Sequence, residues 1–176
     1  LRRLMIHTDT VIRTLRPDEW TAYRDLRLRA LADAPNAYGS TLAAEQDRPA
    51  QAWAERLALA ATSGRDHPLV ADAGGALVGL AWAKRSADDP AVVGIFQMWV
   101  APETRGQGIA AALLREAVRW SRAVGAQVVR LGVETGNGAA LRLYAREGFL
   151  NVGEPAPMRP GSHLMEQEMR LALVDG

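Results

Sequence analysis

Cysteine is absent from the 176 residues, which excludes thiol catalysis, a disulfide scaffold and thiolate metal sites. Aromatic residues make up only 6%, and acidic and basic residues are interspersed with a net charge of +1, so no electrostatic footprint for nucleic acid is present. No apolar run approaches the length of a membrane span, and no signal-like segment opens the chain. These absences favour a cytoplasmic protein with neither nucleic acid nor membrane as a partner.

The length predicts a single domain over residues 1–176 that buries a continuous core without metals or disulfides. Residues 1–4 precede Met5, which is a natural start, and are expected to be a remnant of cloning. The histidines His7, His67 and His163 are scattered without ligand spacing, so no metal site is expected.

Hydrophobic periodicity predicts the order of the elements. The first half is predicted to contain a strand at 11–15, helices at 17–34 and from about 49 to 60, and a hairpin of strands at 68–73 and 76–83. The second half is predicted to contain a strand at 91–100, a helix at 108–125, a strand at 128–133, a short helix at 139–147 and strands at 149–152 and 165–174. The stretch from Pro155 to Gly161 is predicted to be a loop. The strand, helix and strand between residues 91 and 133 imply one right-handed parallel crossover in an otherwise antiparallel sheet.

A glycine pair lies between the strand ending at Val100 and the helix that follows. Gly106 and Gly108 allow the backbone to come close to a ligand. The first N–H groups of the helix point outward with the positive end of its dipole. This arrangement predicts a phosphate-binding loop.

Four interpretations of this loop compete. A Walker loop lacks its lysine, and a ligand-free turn remains open. A dinucleotide fingerprint matches Gly-x-Gly-x-x-Ala from Gly106 to Ala111, with Glu134 near the place of a ribose-binding acid. That fingerprint follows the first strand of its sheet almost directly, whereas here a turn at 101–105 intervenes. The fourth interpretation depends on a resemblance.

Two spaced motifs resemble those of the GNAT superfamily of acetyl-coenzyme A (acetyl-CoA) dependent N-acetyltransferases. The first is Arg105-x-x-Gly108-x-Ala110 after a strand that ends in Met98-Trp99-Val100-Ala101-Pro102, and the second is Asn137-x-x-Ala140-x-x-Leu143-Tyr144-x-x-x-Gly148-Phe149. The resemblance implies an α/β (α+β) fold with a mixed, mostly antiparallel sheet of six or seven strands flanked by helices. One parallel, splayed strand pair would lie at its centre.

The resemblance also implies the site residues. The backbone of Met98 and Val100 would pair with the pantetheine arm, Asn137 would bind that arm, and Tyr144 would protonate the departing thiolate. The N–H groups that would hold the pyrophosphate belong to Arg105, Gly106, Gln107, Gly108, Ile109 and Ala110. Two alternatives stay open, namely a core role for Tyr144 and a helix N-cap for Asn137.

Glu134 is the best-placed carboxylate for a general base, although a water relay or a plain strand-end charge remains an alternative. The acceptor is expected to enter between the first two helices and the late loop at 158–163, where Tyr38, Arg159 and His163 are candidate contacts. Their mixed character favours a small polar amine carrying its own anionic group over a polycation, which would need a cluster of carboxylates.

The predicted function is transfer of acetyl from acetyl-CoA, without a metal, to a primary amine of a small molecule or peptide by direct attack in a ternary complex, in a monomer or homodimer. Two other classes stay open: a non-catalytic acyl-CoA sensor and a nucleotide-dependent oxidoreductase. The presence of Tyr144 favours catalysis over sensing. The single parallel crossover disfavours the oxidoreductase.

Overall fold

The computed structural model describes residues 9–173, which form seven strands and five helices. The strands are β1 (Thr10–Thr14), β2 (Asp66–Ala73), β3 (Ala76–Arg85), β4 (Val92–Val100), β5 (Val128–Glu134), β6 (Leu150–Pro157) and β7 (Met165–Ala172). The helices are α1 (Trp20–Asp33), α2 (Leu42–Gln46), α3 (Ala50–Ser63), α4 (Ile109–Ala123) and α5 (Gly138–Arg146), with short 3-10 turns at Pro17–Glu19 and Pro102–Thr104. His7 and residues 1–4 lie outside the described residues.

One sheet contains all seven strands in the order β1-β2-β3-β4-β5-β7-β6. Every neighbouring pair is antiparallel except β4 and β5, which are parallel. The predicted fold class, with its single parallel pair, is therefore confirmed. No helix in the described part of the chain is long and apolar enough to cross a membrane.

The parallel pair is joined only at its beginning. Pairing of β4 with β5 ends at Gly94 and Arg130, although β4 continues to Val100. Beyond that point β4 contains a bulge, because the register with β3 shifts between Leu80 and Trp82, and Gln97 there has a φ of 60°. The two strands consequently separate, and the separation opens one edge of β4.

The helices cover the sheet from both sides. On one face, α1 packs against β3 and β4, and the ring of its Tyr23 lies 5.6 Å from that of Trp82. On the other face, α4 places Leu113 and Ile109 against Gly79, where an added Cβ would lie 3.1 and 3.3 Å from them. The buried apolar residues of α4 recur at helical spacing and pack on the sheet, namely Ile109, Leu113, Leu114 and Ala117.

Two details of the predicted element order are wrong. The loop predicted from Pro155 begins later, because β6 continues to Pro157 and pairs with Met165. Proline is tolerated there because β6 is an edge strand whose outer N–H groups need no partner. The helix α2 was not predicted, and it begins where the hydroxyl of Thr41 accepts a hydrogen bond from the N–H of Ala44 at 3.2 Å.

Candidate active site

A cleft of about 1260 Å³ opens where β4 and β5 separate. One end is formed by the loop before α4 and the first turns of α5. The other end lies on the sheet face covered by α1, where Arg27 of α1, Glu45 of α2 and residues of β5 and β7 line it. Both predicted ligand regions therefore line one continuous cleft.

The open edge of β4 presents the peptide groups of Met98 and Val100. The N–H of Ala101 donates to the carbonyl of Val78 in β3 at 2.8 Å. Because neighbouring peptide groups in a strand alternate in direction, those of Met98 and Val100 face away from β3. Their carbonyl oxygens accept hydrogen bonds from the Tyr38 hydroxyl at 3.2 Å and from Nε of Arg105 at 3.1 Å. Among the strands of residues 9–173, their N–H groups have no partner on this side, because pairing with β5 has already ended.

The loop before α4 exposes a run of unpaired donors. The N–H groups of residues 106–111 donate to no acceptor within residues 9–173, whereas the N–H of Arg105 reaches the carbonyl of Pro102 at 3.4 Å. Gly106 and Gly108 have φ values of 81° and 80°, and an added Cβ at either would meet no atom within 4 Å. Residues 106–111 thus fit an anion that approaches the backbone closely.

The residues of the predicted phosphate-binding loop differ in whether they line the cleft. Gly106, Gly108, Ile109 and Ala110 line the cleft, whereas Gln107 is exposed outside it. Ile109 also packs into the core, so only its backbone is available to a ligand. The run of free donors starts at Gly106, one residue later than predicted.

The loop is tied to the end of α1. The carboxylate of Asp33 accepts from the guanidinium of Arg105 at 2.6 Å and from the indole of Trp99 at 2.9 Å. Both bonds hold the pKa of Asp33 below its usual value, the one from Trp99 contributing most. Arg29 adds an ion pair with Glu103 at 2.6 Å. The side chain of Arg105 is therefore used for shaping the loop.

Tyr144 and Asn137 both line the cleft from α5. Tyr144 is 6% exposed, and its ring lies 6.0 Å from that of Phe149. Burial raises the pKa of Tyr144, so its phenol is protonated at neutral pH. Asn137 is the N-cap of α5, because its side-chain oxygen accepts from the N–H of Ala140 at 3.2 Å. Its amide N–H₂ group makes no hydrogen bond within the described residues.

Of the three predicted acceptor residues, Tyr38 lines the cleft and Arg159 contacts its backbone. Arg159 donates to the carbonyl oxygens of Tyr38 at 2.8 Å and of Gly39 at 3.4 Å. Tyr38 is 7% exposed and lines the cleft, and burial raises its pKa. Arg159 itself does not line the cleft, and His163 is exposed outside it. The structure therefore places Tyr38 at the cleft and Arg159 behind it.

Glu134 lines the cleft with two further carboxylates, Glu166 and Glu168 on β7. Glu134 pairs directly with Glu166 across β5 and β7, and the carboxylate of Glu166 lies over Gly132, with Oε2 2.6 Å from where a Cβ would be. Burial and then the charge of Glu168 raise the pKa of Glu166. Glu166 and Glu168, which complete this group of three carboxylates, were not predicted from the sequence.

Several residues of the cleft were not identified from the sequence. Glu166 and Glu168 are two positions apart on a strand, and this period of two could have placed both on one face. Gln97 forms the bulge, and its side-chain oxygen accepts from the hydroxyl of Tyr23 at 2.8 Å. Arg27 is a buried cation on α1, and its helical spacing among apolar residues was visible.

The splayed parallel pair, the donor loop and α5 are the features that the resemblance to acetyl-CoA dependent acetyltransferases implies. A profile of the acetyltransferase (GNAT) family matches residues 17–149, and the chain belongs to this family. A mycothiol acetyltransferase of Thermobispora bispora is 32% identical over 145 residues, which cover 78% of this chain and 45% of the relative. The chain spans less than half the length of the curated relatives it matches.

Solved structures show the same fold. A GNAT family acetyltransferase from Streptococcus pneumoniae superimposes with a TM-score of 0.80 at 21% identity, covering 94% of this chain and 100% of the other. The PaiA N-acetyltransferase of Thermoplasma acidophilum, solved with coenzyme A, gives a TM-score of 0.75 at 18% identity and covers 94% and 99%. The resemblance inferred from the two motifs is confirmed.

Proposed function

We propose that this chain transfers acetyl from acetyl-CoA to a primary amine of a small molecule or peptide, within a ternary complex. The observation on which this depends is the run of unpaired N–H groups at residues 106–111, which lies at one end of the cleft that continues to Tyr144. A pyrophosphate is the group that such a run of donors fits. Membership of the GNAT family and the coenzyme A complex of a structural neighbour support the same donor.

The chain's own groups divide the chemistry between the two ends of the cleft. Acetyl-CoA supplies an activated acyl carbon whose bond to sulfur breaks as the bond to the amine nitrogen forms. The unpaired N–H groups of Met98 and Val100 are placed to orient the donor along β4 and to polarise its carbonyl. Tyr144, kept protonated by burial, donates the proton that the thiolate needs.

The amine must lose a proton, because alkyl amines with pKa near 10 are mostly protonated at neutral pH. Glu134 and Glu166 occupy paired positions of β5 and β7, and both line the cleft beside the splay. We propose that this pair receives the proton, directly or through a water. Glu166 suits the role of general base because its raised pKa is closer to neutral pH than that of an ordinary carboxyl group.

The relatives do not identify the acceptor, because this chain spans less than half of their length. Cytoplasmic location and a possible homodimer stay predictions. The sensor hypothesis differs in one measurable respect, since a sensor would bind acetyl-CoA without releasing thiol in the presence of any amine.

A thiol-release assay with acetyl-CoA and a panel of amino acids, peptides and polyamines tests the function. Calorimetry with Gly108→Val tests the loop, and Gly125→Val is its matched control, because Gly125 has a φ of 83° and equally open surroundings at the far end of α4. We expect at least about a tenfold loss of acetyl-CoA affinity, near 1.4 kcal/mol, in Gly108→Val only. Equal affinity in two folded variants would refute the loop assignment.

A further inference from the structure

Arg27 is a buried arginine that makes no hydrogen bond within the described part of the chain. It lies on α1, is 5% exposed and lines the cleft. Its Nε and Nη1 atoms are buried and have no partner within residues 9–173. The other buried residues on this face of α1 are Tyr23, Leu26, Ala30 and Leu31. A cation among them is costly unless something pairs with it.

The surroundings do not satisfy this cation. Its guanidinium stacks on the ring of Tyr38, 4.7 Å from the centroid, but stacking covers a face and leaves the in-plane N–H groups unbonded. The carboxylate whose charge acts on Arg27 is that of Glu45, but the two residues form no ion pair within residues 9–173. Glu45 is already bonded to Arg48 at 3.2 Å and to Ser40 at 2.9 Å. Burial accordingly lowers the pKa of Arg27, although arginine remains charged.

A second arginine reinforces the positive charge here. Arg56 of α3 also lines the cleft, 3.6 Å from Glu45 and 3.4 Å from the hydroxyl of Tyr23. Its charge and that of Arg27 act on each other. Arg48 and Arg56 thus both pair with the carboxylate of Glu45, and Arg27 has no ion pair within the described residues. We call Arg27 and Arg56 the basic wall.

The basic wall faces the same side of the sheet as the three carboxylates. Phe96 folds over Gly94 on the face that also displays Trp82, against which α1 packs. Gly94 pairs with Arg130, so side chains at alternate positions of β5 from Arg130 to Glu134 are on this face. Glu134, Glu166 and Glu168 form the acidic wall. The acceptor end of the cleft therefore has the basic wall on the side of α1 and α3, and the acidic wall, together with Arg130, over β5 and β7.

We infer that Arg27, with Arg56 beside it, binds a carboxylate of the acceptor, while the acidic wall holds the amino group near the splay. The acceptor class is then an amino acid or a related amino-carboxylate. A guanidinium matches a carboxylate because its planar N–H groups can bond both oxygens at once. This inference rests on the proposed function for its amine, but the carboxylate site can be tested without turnover.

The kinetic test compares matched acceptors in the thiol-release assay: alanine with alaninamide, β-alanine with 3-aminopropanamide, and spermidine as a polycation. We expect the wild type to prefer each carboxylate by about tenfold or more in kcat/KM, corrected for the fraction of neutral amine. Arg27→Met should remove the preference by raising the acceptor KM, with KM for acetyl-CoA unchanged, and Arg27→Lys should retain part of it. Equal use of both members of each pair, preference for spermidine, or an unchanged preference in Arg27→Met would overturn the inference.

Arg24→Met is the matched control, because Arg24 is on the same helix, is paired with Asp25 at 3.1 Å and does not line the cleft. Thermal melting separates recognition from a structural role. Arg27→Met should melt no lower than the wild type, because it removes an unpaired buried charge. A drop of several degrees with the acceptor preference intact would assign Arg27 to structure.

Binding also separates this inference from the proposed function. If acetyl-CoA binds but no amine is acetylated, the proposed function fails, and melting with millimolar alanine or β-alanine then decides the carboxylate site. Stabilisation of the wild type but not of Arg27→Met supports the site, and no stabilisation overturns it. If amines are acetylated without a carboxylate preference, the function stands and this inference fails.

Discussion

The carboxylate of Asp33 lies 2.6 Å from a guanidinium nitrogen of Arg105, and the two residues are 72 positions apart. Through this pair the end of α1 holds the loop whose N–H groups face the cleft. Trp99 donates to the same carboxylate at 2.9 Å, so one side chain connects α1, β4 and the loop. The shape of the donor loop is therefore set partly by a residue far from it in sequence.

Asp33→Asn should weaken acetyl-CoA binding. An asparagine can still accept from Trp99 but loses the charge that holds Arg105. We expect KM for acetyl-CoA to rise roughly 3- to 10-fold with kcat nearly unchanged, because the loop binds the non-reacting part of the donor. Asp25→Asn removes an exposed carboxylate of the same helix and is the control. An unchanged KM for acetyl-CoA in a folded Asp33→Asn protein would show that the donor loop does not depend on the pair of Asp33 and Arg105.

Tyr144→Phe should lower kcat by about 10²-fold with little change in acetyl-CoA affinity, because a positioned general acid contributes about that much. Tyr38→Phe is the informative comparison, since Tyr38 is as buried and lines the same cleft but its hydroxyl is bonded to the carbonyl of Met98. We expect a smaller loss there. A larger loss of kcat in Tyr38→Phe than in Tyr144→Phe would instead assign the general acid to Tyr38.

The parts of the site that depend on local sequence were predictable. Gly106 and Gly108 are recognised as a loop because positive φ and a following helix leave a clear pattern. The cap at Asn137 follows the same logic. The residues that escaped prediction depend on distant contacts. Gln97 has a positive φ, uncommon for a residue other than glycine, within a bulge beside Tyr23, and nothing in its neighbours indicates this.

Strand order decides the rest. Glu166 becomes a partner of Glu134 only because β7 lies between β5 and β6, and periodicity does not reveal which strands are neighbours. The extended β6 depends in the same way on an edge position that makes Pro155 and Pro157 acceptable. Sequence therefore predicted the donor loop better than the acceptor end.

Glu166→Gln should stabilise the protein near neutral pH. Burial, followed by the charge of Glu168, raises the pKa of Glu166 above its ordinary value of 4.5, so folding favours the protonated form. The stability that protonated Glu166 contributes to the folded protein is fully present below about pH 4.5. It is lost as the pH rises through the pKa that Glu166 has in the folded protein. The gain from Glu166→Gln should thus be clear at pH 7 in urea unfolding and fade towards pH 4.5.

Glu168→Gln should gain less, because Glu168 is 39% exposed and pairs with Arg170 at 2.9 Å. A gain from Glu166→Gln that is equal at pH 4.5 and pH 7 would exclude titration of this carboxyl as the cause. Glu166→Gln also tests which residue is the general base. Loss of the acidic limb of the kcat/KM profile in Glu166→Gln but not in Glu134→Gln would assign proton removal to Glu166.

Arg159→Ala should impair the acceptor side alone. Arg159 donates to the carbonyl oxygens of Tyr38 and Gly39 from 121 and 120 positions away, so it holds the late loop against the segment after α1. Because Arg159 lies behind the cleft, its removal should act by releasing Tyr38. We expect the acceptor KM to rise roughly 3- to 10-fold while KM for acetyl-CoA is unchanged.

Arg65→Ala is the matched control, because Arg65 makes the same kind of bond, to the carbonyl of Arg85 at 3.3 Å, and does not line the cleft. Melting temperatures of the two variants show whether either contact matters to the fold as a whole. If Arg159→Ala raised KM for acetyl-CoA and spared the acceptor, the segment after α1 would belong to the donor end. In that case the acceptor would enter without contacting the 38–39 segment.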